Sequence, residues 1–477
     1  MPGQILHLAF DDTDSREGRC TTHLAFQIAQ HIKRQGGFFL DYPLLIRLNP
    51  NIPWKTRGNG AVCLRVVVKD SAGLIDYVRC AVQNGSAIGS GANPGVAFFC
   101  DEQAMPSLAQ KFCISAMRDV MSRQMAEKVA RNSRIGYFSF GNGQGLVGAL
   151  AALGCTLNGD HTFELIAYRR AENCGTKRVV DKAKVIQLNK ETYPETFCNY
   201  DVENDRVMIG PHGPDPVFVG IRGENPSAVF KAIRILEPEE KLEGWAIFRS
   251  NQGTNMHLQA ELDLRTAKVY TSGFLRCEVT CKPVIMEGGH LFFSVGQQGT
   301  EITAAVYEPT GLSAVASLLE PCDKIEIGCG IRKGTSKHPK VLNIEYLSVV
   351  KLAEVFDTAN PLCPNCGKRM KSAGGGKGFK CPRCRFSDPQ AAKIRVTRSR
   401  DLRPGLYLPA IKAHRHLSKP LQRYGREKLC NNLGVSQDGL LHLCTNSCAH
   451  EKSSGCTSEK DDGQPQWQTG ADSAGQT

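Results

Sequence analysis

The sequence predicts a multidomain α+β protein: a mixed α/β front, a small β-barrel and a four-cysteine metal site. Three observations carry that prediction. A chain of 477 residues exceeds one ordinary domain and suggests about three or four. Its texture changes near Glu239, from mixed helix and strand periodicity to strand signal alone. Beyond that, four cysteines fall in two C-x2-C pairs.

The elements follow in order. Residues 4–10 read as a short strand that runs into Asp11, Asp12 and Asp14. A helix is expected from about Thr22 to Gln35, with Leu24, Ile28 and Ile32 on one face. Strand-like runs cover 44–48 and 61–69. Between them "NPNIPWKTRGNG" (49–60) is a long loop by its Pro, Gly and Asn content. A helical pattern spans about 107–131, and "GNGQGLVGALAALG" (141–154) reads as a Gly-rich loop opening a helix. Mixed elements continue to about Leu236. From about 239 to 350, five or six short strands separated by Gly turns suggest the barrel. Residues 451–477, rich in Ser, Gly, Asp and Gln, are expected to be disordered.

Composition narrows the class. An apolar content of 41% is ample for packed cores. The longest apolar stretch, 145–155, is far short of the ~20 residues of a membrane span. The N-terminus reads as a first strand, which places the chain in the cytoplasm. Most of the 20 cysteines are scattered singly, as buried free thiols in a reducing compartment would be. The net charge of +12 is uneven: residues 361–430 hold 18 Lys and Arg against 3 Asp and Glu. Such a basic block is the footprint of a polyanion partner, with a solvated surface as the plainer reading.

Two constellations carry chemistry. Cys363 and Cys366, then Cys381 and Cys384, are two knuckles separated by fourteen residues. Four thiolates at that spacing close a structural Zn²⁺ site of the ribbon type. Lys368, Arg369 and Lys371 beside it suit phosphate contact. A looser set, Cys430, Cys444, Cys448 and Cys456 with His442 and His450, is a weaker metal candidate. The second constellation is the acidic strand end. Asp11, Asp12 and Asp14 repel one another unless a cation lies among them, and Mg²⁺ takes one or two carboxylates plus phosphate oxygens. Thr21 and Thr22 at a helix start face the same way as a phosphate site would. An Asx-turn followed by a Thr N-cap accounts for these residues equally well when they are taken alone. Lys55 and Arg57, in a loop lined by Gly58 and Asn59, tilt the balance, because acid and metal on one side and cations on the other are the layout of phosphoryl transfer. No Walker-type P-loop is present.

Six stretches, "FDDTDSREGRCTTHLA", "YPLLIRLNPNIPWKTRGNGAV", "GNGQGLVGALAALG", "GPHGPDPVFVGIRG", "IFRSNQGTNMHL" and "CPNCGKRMKSAGGGKGFKCPRC", occur in an order that resembles the TiaS family of archaeal agmatinylcytidine synthetases. The resemblance runs from about residue 5 to about 422. It implies a kinase-like catalytic domain (1–130), a ferredoxin-like domain (131–238) that interleaves with it, an OB-fold (239–350), a zinc ribbon (351–390) and a basic C-terminal region (391–450). It implies an ATP-dependent ligase that joins agmatine to C2 of the wobble cytidine of the CAU-anticodon isoleucine tRNA. By resemblance, Asp11 and Asp12 hold Mg²⁺ with Asp14 beside them, Thr21 becomes phosphorylated, and Thr22, Lys55, Arg57, Gly58 and Asn59 contact ATP. Agmatine, a dication, needs carboxylates, for which Asp215 and then Glu224 are the candidates. Phe248 and Arg249, with Trp245 and Asn251, would present the barrel's tRNA face. A non-catalytic RNA-binding protein of barrel and ribbon is the competing reading; it leaves the acidic strand end and the Lys55 loop without a purpose.

Overall fold

The computed structural model describes residues 3–56, 58–100, 104–336, 339–429 and 440–443. Its front half is built on one large mixed sheet. The first strand, Gln4–Asp11, lies between Gly60–Val68 and Gly95–Phe99 and is antiparallel to both. Leu44–Arg47 pairs with the far edge of Gly60–Val68. In a second group, Thr162–Arg169 lies between Val217–Gly223 and Leu242–Ser250 and is antiparallel to both. The two groups join where Arg249 and Ser250 run parallel to Leu44 and Leu45.

Helices cover both faces. Thr21–Arg34 buries Leu24, Ile28 and Ile32 as the 3.6-residue pattern requires. Its Phe26 stacks against Tyr168 of the second strand group, with ring centroids 4.9 Å apart, so one core serves both groups. Gly145–Gly154 is buried almost throughout on the opposite face, against Ala109 and Phe112 of Ser107–Arg118. The helical pattern expected over 107–131 is two helices. The second, Arg123–Asn132, restarts where the Ser122 hydroxyl accepts the Met125 N–H at 3.2 Å. Cys63, Cys155 and Cys277 are buried thiols, whereas Cys100 is exposed.

The barrel begins later than the sequence suggested. Leu242–Ser250, which opens the strand-rich texture, belongs to the large sheet. An apolar run marks a strand buried on both faces but does not say which sheet owns it. The barrel proper is Ser272–Ile285, Leu291–Gln297, Thr300–Val306, Lys324–Lys333 and Lys340–Lys351. A parallel pairing of Thr303–Ala305 with Val341–Asn343 closes the five strands, around Leu275, Phe293, Ile327 and Leu347. A small ribbon follows, with Phe356–Ala359 paired to Ile394–Thr397 at its base.

The chain then returns as a strap. Gly405–Tyr407 adds to the barrel at Leu347–Val349, and Leu441–Leu443 adds to the large sheet at Gly244–Ala246. Between them Arg423 is fully buried. It donates to Glu224 Oε1 at 2.6 Å and Asp160 Oδ1 at 2.7 Å. Removing one partner from such a buried network costs about 3–5 kcal/mol, because a charge is stranded. Arg415 anchors the strap to the barrel through Glu345 Oε1 at 3.0 Å, and His257 reaches Glu345 Oε2 at 2.9 Å. Cys430, Cys444, Cys448, Cys456 and His450 lie outside the described residues, as do 451–477. His442 is described, and stacks on Trp245 at 5.3 Å.

Burial alone would raise the Glu345 carboxyl, yet Arg415 and His257 hold it down at about 2. A carboxyl depressed in the folded state stabilises above its unfolded value near 4.5, and that contribution is lost as pH falls towards 2. Urea-unfolding midpoints between pH 7 and 2.5 will fall on the acid limb for the wild type. For Glu345→Gln the midpoint is lower at pH 7 and its fall between pH 4.5 and 2.5 shallower; parallel curves would refute the assignment.

Candidate active site

The strand ends and the long loop converge on a cavity of about 460 Å³. Asp11, Asp12, Asp14, Thr21 and Thr22 form one wall; Lys55, Gly58 and Asn59 form part of another. Arg57 lies outside the described residues.

The acidic wall is tightly built. Asp12 adopts a left-handed backbone (φ 58°), and its Oδ2 accepts the Asn93 N–H at 3.0 Å. Thr56 donates to Asp14 Oδ1 at 3.3 Å. Burial, reinforced by the Asp12 charge, pushes the Asp11 carboxyl up to about 8, and burial raises Asp12 as well. The Gly-rich helix makes this wall fit. A Cβ on Gly148 would meet Asp11 Oδ2 at 1.8 Å, and one on Gly145 would meet the Asp11 carbonyl oxygen at 2.7 Å. Among the described residues, only the ribbon cysteines bring three or more potential ligand atoms within 4.8 Å. The three aspartates therefore line the wall without closing on one point.

The threonines are helix residues, not caps. The helix starts at Thr21, and Cys20 before it makes no capping side-chain bond. A helix start without a capping side-chain bond is one that can take an anion. Thr13 donates to Thr21 Oγ1 at 2.9 Å, and Thr22 Oγ1 lies 3.1 Å from Cys20 Sγ.

Sequence reasoning missed a second charged group in the lining. Arg47 and Arg222 clamp the buried Glu164, each at 3.4 Å, and Gln252 donates to the same carboxylate. Arg222 Nη2 also lies 3.1 Å from His416 Nδ1. All but Gln252 line the cavity. Burial, then the charges of Arg47, Arg222 and Lys55, hold the His416 imidazole well below its usual value. A Cβ on Gly58 would lie 2.6 Å from Arg47 Nη1 and 2.7 Å from His416 Nε2, so a side chain there would push these two groups from their places. Arg47 and Arg222, charges ending apolar strand runs, left a signal in "LLIR" and "FVGIRG"; His416 left none.

The two agmatine candidates part company. Asp215 lines the cavity, with its Oδ1 accepting from Arg178 at 3.2 Å and from the Val217 N–H at 3.1 Å. Glu224 does not line it, since Arg423 and Lys428 occupy both its oxygens. The proposed tRNA face around Trp245 is also corrected. Phe248, Arg249 and Asn251 are buried in the large sheet, and Arg249 is spent on Asp41 Oδ2 at 2.7 Å and the Leu157 carbonyl at 2.6 Å. Lys368, Arg369 and Lys371 are exposed on the ribbon. There Cys363, Cys366, Cys381 and Cys384 lie with Sγ–Sγ distances of 3.4, 3.5 and 3.7 Å. Tetrahedral zinc with bonds near 2.3 Å needs sulfurs about 3.8 Å apart, so the knuckles form a zinc-ribbon site.

Family models for the TiaS TCKD domain, the TiaS FLD domain and the TiaS C-terminal zinc ribbon domain match residues 7–76, 143–257 and 360–402. The 2-agmatinylcytidine synthetase TiaS of Cenarchaeum symbiosum, named for the second isoleucine tRNA, is 43% identical over 89% of this chain and 94% of its own length. The protein of that name from Archaeoglobus fulgidus is 40% identical over 88% and 98%. A crystal structure of apo TiaS superposes with a TM-score of 0.78 at 39% identity, over 88% of this chain and 97% of that one. A complex of TiaS with that isoleucine tRNA, AMPCPP and agmatine superposes at 0.76 with 36% identity, over the same shares. Cavity, barrel and ribbon together are those of an ATP-dependent tRNA-modifying enzyme. The chain belongs to the TiaS family of isoleucine-tRNA 2-agmatinylcytidine synthetases. No helix among the described residues is long and apolar enough to cross a membrane.

Gly148→Ala tests the fit of the acidic wall. Forcing Asp11 aside will lower stability by about 1–3 kcal/mol and reduce turnover more than tRNA affinity. Thermal unfolding and single-turnover assays read the two effects, and wild-type turnover in a folded variant would contradict the packing argument.

Proposed function

We propose that this chain uses ATP to replace the C2 oxygen of the wobble cytidine of a CAU-anticodon isoleucine tRNA with agmatine, so that the tRNA reads AUA. One observation carries the reading: a single cavity is lined by aspartates and threonines together with Lys55, Arg47 and Arg222. A binding protein of barrel and ribbon needs neither set. The strands 4–68 with 95–139 serve as the kinase-like half, and 162–250 with its two helices as the ferredoxin-like half.

The chemistry follows from the leaving group. A ring carbonyl oxygen leaves poorly. The C2 oxygen takes a phosphoryl group from ATP and forms a C2–O–P ester. The primary amine of agmatine then forms the C2–N bond as the C2–O bond breaks. Phosphate departs with that electron pair and the amine gives up a proton. The ADP left by that transfer gives its terminal phosphoryl group to Thr21 and from there to water, so that ATP ends as AMP and two phosphates. Lys55, with Arg57 by resemblance, and the Arg47–Arg222 pair offset charge on the phosphoryl oxygens as it develops. Gly58 and Asn59 let the loop approach the phosphates, and Thr22 contacts them. Thr21, its oxygen fixed by Thr13, is the residue that becomes phosphorylated. Asp215 meets one cationic end of agmatine.

Asp11 and Asp12 fit a Mg²⁺ site: carboxylates raised by desolvation, Asp11 also by the Asp12 charge and Asp12 by the Asp14 charge, are the environment a cation relieves. Asp14 flanks them. When bound, the ion neutralises triphosphate charge. The ribbon cations give the tRNA backbone a sequence-independent contact.

Nucleosides from isoleucine tRNA incubated with protein, ATP and agmatine, read by mass spectrometry, will contain cytidine carrying agmatine in place of its C2 oxygen. Asp12→Asn keeps a residue that tolerates the left-handed backbone. It will abolish incorporation while tRNA affinity stays within about threefold; full activity would eliminate the metal role. The double variant Cys363→Ser, Cys366→Ser will lose its zinc and bind tRNA more weakly at fixed salt. Zinc loss with an unchanged Kd would remove the ribbon from docking.

A further inference from the structure

A groove of about 520 Å³ lies between the helices Lys182–Thr192 and Pro226–Leu236. Its lining includes Lys184, Phe230, Lys231, Arg234 and Glu237. Phe230 is 40% exposed, a large ring left open to solvent. Lys184 is already paired with Glu237 at 2.8 Å. Lys231 reaches the Glu191 carbonyl oxygen at 3.1 Å, and Arg234 lies over the Phe230 ring at 5.9 Å. Neither of these two cations meets a carboxylate among the described residues. The groove thus shows a ring and two cations, the complement of a segment that is both acidic and aromatic.

The chain beyond Leu443 supplies such a segment and is delivered to the groove. Leu441 pairs with Ala246 and Leu443 with Gly244, so the chain leaves Leu443 in the direction of Leu242. Leu242 follows closely on Leu236, the end of the second groove helix, where Arg234 and Glu237 line the groove. A line of rings makes the same connection. His442 stacks on Trp245 at 5.3 Å, and Trp245 meets Phe230 at 5.6 Å. Residues 444–477 lie outside the described residues; they hold five Asp and Glu against two Lys. Within them "EKDDGQPQWQ" (459–468) sets Asp461 and Asp462 ahead of Trp467, the one Trp, Tyr or Phe beyond Leu443. Gly463 and Pro465 between the acids and the ring are turn residues, which lets both contacts fall on neighbouring groove side chains. The 15 residues from 444 to 458 reach about 20 Å as a flexible tether, and such a tether holds its end at about millimolar effective concentration.

We propose that the acidic C-terminal segment of this chain docks in the groove between the two helices, with Asp461 and Asp462 on Lys231 and Arg234 and Trp467 against Phe230. Carboxylates supply the partners that the two cations lack, and the indole covers the open ring while lying within reach of the Arg234 guanidinium. A polynucleotide would suit the cations, but the acidic chain tethered at the rim opposes it. A neutral apolar helix would cover Phe230 and leave both cations without acceptors.

The test uses the full-length protein labelled with 5-fluorotryptophan, whose fluorine resonances report Trp54, Trp245 and Trp467. Trp467→Phe assigns the third, and a synthetic peptide of residues 457–470 gives its undocked position. In the wild type the Trp467 resonance will be displaced from the peptide's and as broad as that of Trp245. Salt at about 1 M, where the Debye length is about 3 Å, will move it part of the way back. The double variant Lys231→Asp, Arg234→Asp, at two exposed positions, will return it to the peptide position, and adding Asp461→Lys with Asp462→Lys will displace it again. An unmoved Trp54 resonance reports that the fold is intact in each variant. A wild-type Trp467 at the peptide position overturns the proposal, and so does a displaced resonance that ignores the charge reversal. Return to the peptide position on dilution marks a second copy as the occupant, which overturns it too. The same holds if the reversal weakens binding of a non-cognate RNA while Trp467 never leaves the peptide position.

Discussion

The half-buried, desolvated carboxylate of Asp11 is the constraint around which the front of this protein is arranged. Burial and the neighbouring Asp12 charge make its ionised form unfavourable in the unliganded protein. A fold keeps such a group only where something arrives to offset it. The surroundings hold it in place even so. Gly148 and Gly145 let a helix press against it, and the next residue, Asp12, takes a left-handed backbone conformation. Strain and desolvation are thus concentrated at one strand end, and the core on both sheet faces supplies the rigidity that sustains them.

A second charged group in the lining answers that charge in kind. Arg47 and Arg222 come from strands of the two different halves of the large sheet, and Glu164 binds them together. The carboxylate fixes where two guanidinium groups point before any ligand is present, which is the preorganisation that makes electrostatic stabilisation effective. Gly58 carries the same logic into the loop, because its missing side chain is the space in which Arg47 and His416 approach. Carboxylates and guanidinium groups line the same cavity. A ligand with cationic and anionic parts can therefore bridge them.

What could be read from the sequence was chemistry carried by short spacings. The aspartates, the two threonines, the Lys55 loop and the cysteine knuckles are local in sequence, and each stayed together on folding. Ownership of strands was not legible: Leu242–Ser250 looks the same in a barrel as in a sheet buried on both faces, and only its pairing with Thr162–Arg169 decides. The fate of individual charges was illegible for the same reason. Asp215 and Glu224 share one stretch, but Glu224 is claimed by Arg423, 199 residues away. Arg249 looked like a phosphate contact and is held by Asp41 across 208 residues. A charged residue in an apolar run signals that a partner exists, without signalling whether that partner is protein or ligand.

The basic C-terminal half shows how that ambiguity resolves once the partners are known. Its charge divides into two populations. Arg398, Arg400, Arg415, Arg423 and Arg426 each face a carboxylate of an earlier domain and are structural. Lys368, Arg369 and Lys371 on the ribbon are exposed. The first population fixes the strap, and with it the register of barrel, sheet and loop around the cavity; the second is left for a polyanion. Net charge alone would have assigned both to nucleic acid. The division has a functional logic, because a flexible tether could deliver RNA to the neighbourhood of the site but not to one atom of one base. Rate gains from positioning depend on reacting groups being held at near-contact geometry. Holding the domains together with one set of cations is what allows the other set to act on that geometry.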